Sequence, residues 1–85
     1  MKKFTYTLKD EVGIHARPAG MLAKEAKKYE SKIVLTVNGK SAEATKLMAI
    51  MGLGAKCGQE VEVEITGADE EKAYEDVKAF FEANL

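Results

Sequence analysis

The chain has little of several things. It holds one cysteine, one histidine, one arginine and one proline in 85 residues. A single cysteine, Cys57, forbids an internal disulfide, and one Cys with one His makes a poor metal site, so no metal and no cofactor is expected. Cys57 reads as a small, partly buried loop residue. No apolar run approaches membrane-spanning length, so no membrane insertion is expected. Thirteen basic residues face fourteen acidic ones, a net charge of −1. That balance lacks the basic excess that general nucleic-acid binding needs. The N-terminal Met1-Lys2-Lys3-Phe4 runs into alternating sequence and not into a signal core, which favours a cytoplasmic location. There is no repeat, low-complexity tract or linker. What remains, 46% hydrophobic and 32% charged, fits one globular domain over residues 1–85.

The scarce residues are not scattered. His15, Arg17 and Pro18 fall within Gly13-Ile14-His15-Ala16-Arg17-Pro18-Ala19. Proline, with φ fixed near the helical value and no N–H, is favoured in the first helical turn. The spacing of Ala19, Leu22, Ala23, Ala26 and Tyr29 predicts a helix over 19–29 with one apolar face. Pro18 then marks its start and His15 lies just before it. Free N–H groups at such an end attract anions, and Arg17 adds a permanent cation with a planar fork of donors. The positive surroundings favour the neutral, nucleophilic imidazole. A neutral ring beside an anion cradle can carry a phosphoryl group on nitrogen; the plain alternative is an ordinary surface histidine near a helix end.

The rest of the chain reads as follows. Phe4, Tyr6 and Leu8 alternate with polar neighbours in a first strand, followed by a loop over 10–13. Ile33, Leu35 and Val37 form a second strand. Asn38-Gly39 signals a type I′ hairpin into a weakly apolar edge strand over 40–44. Thr45 is expected to cap a short helix over 46–52. This helix carries Leu47, Met48, Ile50 and Met51, too many for one core-facing stripe, so at least one must be exposed. Val61, Val63 and Ile65 alternate with glutamates in the fourth strand. Asp69 is expected to cap a last helix that starts with Glu70 and Glu71 and buries Ala73, Val77, Phe80 and Phe81. The order β-α-β-β-α-β-α, with one apolar face per strand, predicts an α+β open-faced β-sandwich. Its four-stranded antiparallel sheet has three helices on one face and the strands' charged residues on the other.

These residues resemble the HPr family, the histidine phosphocarriers of the phosphoenolpyruvate-dependent sugar phosphotransferase system. The heptapeptide resembles its active-site signature. Asn38-Gly39-Lys40-Ser41, the stretch from Leu47-Met48 to Leu53-Gly54, and Gly67-Ala68-Asp69-Glu70 resemble its hairpin, second helix and entry to the last helix. The resemblance implies that His15 accepts a phosphoryl group on Nδ1 from enzyme I and passes it to enzyme II components in carbohydrate uptake. Arg17 and the N–H groups at Ala16 and Arg17 would hold the phosphoryl oxygens, and Pro18 would fix the helix start. Leu47, Met48 and Met51 would form an apolar docking patch, with Met21 beside His15 and Lys24 and Lys27 on the rim. The protein would act as a monomer and a stoichiometric intermediate. Regulatory proteins form a further partner class.

One departure stands out. Family members commonly carry a regulatory serine where this chain has Lys46. A lysine cannot accept phosphate from the serine kinase of many Gram-positive members, and only Thr45 stands near as a substitute. Two other readings use the same residues: a carrier for a paralogous pathway (nitrogen regulation or dihydroxyacetone phosphorylation), or a regulatory docking module resting on Met48 and Met51.

Overall fold

The period-two stretches pair into one sheet in the computed structural model, which describes residues 1–85. The elements are β1 (Lys2–Thr7), α1 (Ala16–Ala26), β2 (Lys32–Val37), β3 (Lys40–Glu43), α2 (Leu47–Gly52), β4 (Glu60–Thr66) and α3 (Glu70–Asn84). The strands lie in the order β1-β4-β2-β3, and every neighbouring pair is antiparallel. The open-faced sandwich expected from the sequence is therefore present. No helix is long and apolar enough to cross a membrane.

Register follows from burial. Phe4 faces Val63, Leu35 also faces Val63, and Ile33 faces Ile65, so the apolar sides of three strands coincide. A slip of one residue would turn this whole set toward water. Beneath it, Leu22, Ile50, Val77 and Phe81 from the three helices are fully buried. Phe81 meets Phe4 and Tyr6 edge to face, with ring centroids 5.7 and 5.6 Å apart. The other side of the sheet is polar. There Lys3 pairs with Glu62 at 3.0 Å and Lys32 with Glu43 at 3.8 Å. Asn38 and Gly39 both adopt positive φ (51° and 80°), as a type I′ hairpin requires.

Some expectations need correction. Phe80 is only half-buried, set edge-on to Phe81 at 6.4 Å, because α3 turns it toward the rim. Helix α1 stops at Ala26, so Tyr29 lies beyond it. Its ring still packs on the core, and its hydroxyl lies 2.8 Å from Glu25 Oε2 and 2.5 Å from Asp76 Oδ2. Burial, then these two carboxylates, push the Tyr29 hydroxyl well above its ordinary pKa. Thr45 does not cap α2. The N-cap position falls on Lys46, whose N–H closes a turn onto the Glu43 carbonyl at 3.1 Å and whose ammonium, a donor only, makes no cap bond. Asp69 does hold the N-cap position of α3, yet makes no cap bond. Its carboxylate accepts instead from Glu30 N–H (3.0 Å), Ser31 N–H (2.9 Å) and Ser31 Oγ–H (2.5 Å). Those donors, the Ser31 hydroxyl first, hold the Asp69 carboxyl below its usual range. Cys57 is exposed and not partly buried, its thiol donating to the Lys9 carbonyl at 3.8 Å.

Candidate functional site

The loop before α1 is built to deliver His15. Gly13 has φ +77°, and a Cβ there would overlap the Ala55 carbonyl and lie 2.7 Å from Lys56 Cα. Only glycine allows this close backbone approach. Ile14 N–H then donates to the Ala55 carbonyl at 3.1 Å, and the Ile14 side chain is buried. With Ile14 anchored, the next residue emerges at the surface.

His15 is the N-cap of α1, in extended backbone (φ −114°, ψ −175°), and its side chain makes no cap bond. Its carbonyl accepts the first helical bond, from Ala19 N–H at 3.0 Å. The helix thus begins at Ala16, two residues before the start read from the proline. Pro18 stands third and is buried. It suits that place because the N–H there has no helical partner in any α-helix. Proline has no N–H, so two donors remain open, at Ala16 and Arg17, and neither meets a partner within the chain. No acidic residue lies in the first turn. The half-buried imidazole, unused by the fold, therefore sits at a polarised end whose first helical turn carries no acid.

Arg17 is exposed, and none of the chain's ion pairs uses it. It lines a shallow cleft of about 210 Å³ together with His15, Pro18, Met21, Asp10 and Asn84. So the structure brings His15, Ala16, Arg17, Pro18 and Met21 together. Asp10 and Asn84 are additions that sequence reading missed. Asp10 carries a usable local signal, an Asx-type turn in which Oδ1 accepts Val12 N–H at 2.9 Å. Asn84 has none, since only the return of α3 brings it there.

The other expected residues lie on the surface of α1 and α2, which pack against each other. Met48 is 77% exposed, Met21 44%, and Leu47 and Met51 38% each. These are large apolar side chains in water, and the flexible thioethers of the three methionines adapt to varied shapes. Lys24, Lys27 and Lys46 are exposed and none is ion-paired, whereas Lys3 and Lys32 on the sheet are.

The site is thus an unengaged histidine at a polarised helix start on an open-faced α+β sandwich. The family model described as "PTS HPr component phosphorylation site" matches residues 2–83. The chain is 41% identical over 85 residues to the phosphocarrier protein HPr of Mycoplasma genitalium, covering 99% of this chain and 97% of that one. Among solved structures, a mycoplasma histidine-containing phosphocarrier protein superimposes with a TM-score of 0.91 at 37% identity, covering 93% of this chain and 90% of that one. HPr-C-His from Thermoanaerobacter tengcongensis gives 0.91 at 35% identity, covering 98% and 93%. The chain belongs to the HPr family, the phosphocarriers of the phosphotransferase system.

Proposed function

We propose that this chain takes a phosphoryl group from enzyme I onto His15 and hands it to enzyme II components in carbohydrate uptake. We read it as a monomeric, cytoplasmic, single-domain carrier. One observation supports this above all. The imidazole is the N-cap of α1 without capping it, beside two unpartnered N–H groups and an unpaired guanidinium. Each of these groups is free for an anion and none is needed by the fold.

The chemistry asks for little more. The lone pair of the acceptor nitrogen forms an N–P bond as the donor's bond to phosphorus breaks, and only the phosphoryl group crosses. Such a transfer depends on alignment and on stabilising the charge of the three equatorial oxygens. The Ala16 and Arg17 N–H groups and the Arg17 fork supply donors on one side. The shallow cleft leaves the other side open to a partner's nucleophile. Met21, Leu47, Met48 and Met51 would dock the partner, with Lys24, Lys27 and Lys46 steering acidic surfaces toward it.

Incubation with enzyme I, Mg²⁺ and phosphoenolpyruvate tests the reading. One acid-labile phosphate per chain is expected, absent from His15→Ala. Label that persists in His15→Ala would refute the assignment to His15. Labelling only by the enzyme I of a paralogous system would remove the sugar pathway and leave the carrier chemistry standing.

A further inference from the structure

Asp10 is the one carboxylate on the cleft that holds His15 and Arg17. The loop holds it in place. Its N–H donates to the backbone oxygen of Leu85 at 3.0 Å, its carbonyl accepts from Gly13 N–H at 3.0 Å, and its Oδ1 accepts from Val12 N–H at 2.9 Å. No cation neutralises it, because none of the chain's ion pairs includes Asp10. A fixed negative charge is out of place in a cradle otherwise cleared of acids. It weakens the hold on the anion that the N–H groups and Arg17 strengthen.

We propose that Asp10 tunes how readily the phosphoryl group leaves His15. The proposal rests on the reading of His15 as the acceptor. When the N–P bond forms, the negative charge of the phosphoryl oxygens arrives in the cleft. Asp10 repels that charge, so the phosphorylated form is less stable than the cradle alone would make it. When a partner's nitrogen attacks phosphorus, the N–P electron pair returns to the His15 ring and the repulsion is relieved. Asp10 touches no reacting atom and acts through its field alone. A carrier needs such a balance, because a cradle that binds the group too firmly cannot pass it on.

Asp10→Asn removes the charge and keeps an oxygen for the Val12 N–H. The experiment equilibrates each protein with enzyme I at set ratios of phosphoenolpyruvate to pyruvate and reads the phosphorylated fraction by ³¹P NMR. The variant should shift the equilibrium toward the phosphorylated form by about three- to tenfold at low ionic strength, and less at high salt. Its phosphohistidine should also hydrolyse more slowly. Asp10→Glu, which keeps the charge, should stay near the parent protein, and Asp10→Ser replaces the Asn variant if that one fails to fold. An unchanged equilibrium at both salt concentrations, or a shift toward the free form, would overturn the proposal. If the parent protein takes no phosphate at all, the acceptor role of His15 falls as well, so the two failures are distinguishable.

Discussion

The starts of α1 and α3 share a plan and differ in how their N-termini are used. In each, a glycine with positive φ stands two residues before the N-cap: Gly13 before His15, and Gly67 before Asp69. In each, the missing Cβ makes room for another stretch of backbone, Ala55–Lys56 at Gly13 and Ser31 at Gly67. From the N-cap onward they diverge. The α3 start carries the chain's own carboxylates, which bind donors outside the helix. Asp69 collects three donors from the turn before β2, while Glu70 accepts from Gly67 N–H at 3.2 Å and pairs with the Met1 ammonium at 2.7 Å. The α1 start has Ala16, Arg17 and Pro18 in those places and no carboxylate. Both ends carry the same helix polarity. One carries acidic side chains that tie it to the turn before β2 and to the N-terminus; the other carries none.

Four changes would break or sharpen this contrast. Arg17→Ala should have the largest effect, slowing phosphoryl transfer about a hundredfold, the usual scale for losing one charge-stabilising donor. Because Arg17 makes no ion pair, its melting temperature should not move, and a scanning calorimeter run beside the transfer assay checks both. At the other helix start, Gly67→Ala should destabilise the fold by about 2 kcal/mol. The new methyl would lie 2.6 Å from Ser31 Cα at φ +153°. Urea unfolding measures that loss, and transfer per folded molecule should be unchanged. Ala16→Asp would give α1 the acid that α3 has. Acceptance of phosphate should slow about tenfold while the helix gains about 0.3–1 kcal/mol, read by transfer kinetics and melting. The smallest effect belongs to the docking rim. Lys46→Ser should weaken enzyme I binding a few-fold at low salt and leave it equal at high salt, as isothermal titration would register.

Legibility in the sequence followed the range of the interactions. The strands were readable because alternation is local, and Val61, Val63 and Ile65 are buried as the pattern implied. The cluster of His15, Arg17 and Pro18 was readable because its members are neighbours along the chain. Helix ends were read less well. The side chains of Thr45 and Asp69 looked like caps, but the N-cap of α2 falls on Lys46 and the Asp69 carboxylate meets distant donors. Asp69 is taken up by Glu30 and Ser31, 39 and 38 positions away. Cys57 looked half-hidden by composition, yet it projects from the turn after α2.

By itself the sequence determined the order of elements, the face each strand buries and the gathering of His15, Arg17 and Pro18 at the start of the first helix. All of these rest on backbone preference and on spacings of a few residues. Only the tertiary structure decided that the His15 ring stays unused at an open helix end, that Asp10 and Asn84 join its cleft, and that the Asp69 carboxylate at the start of α3 binds Glu30 and Ser31. Those outcomes depend on which distant donors and carboxylates the packed sheet brings within hydrogen-bond reach, and no local pattern encodes that meeting.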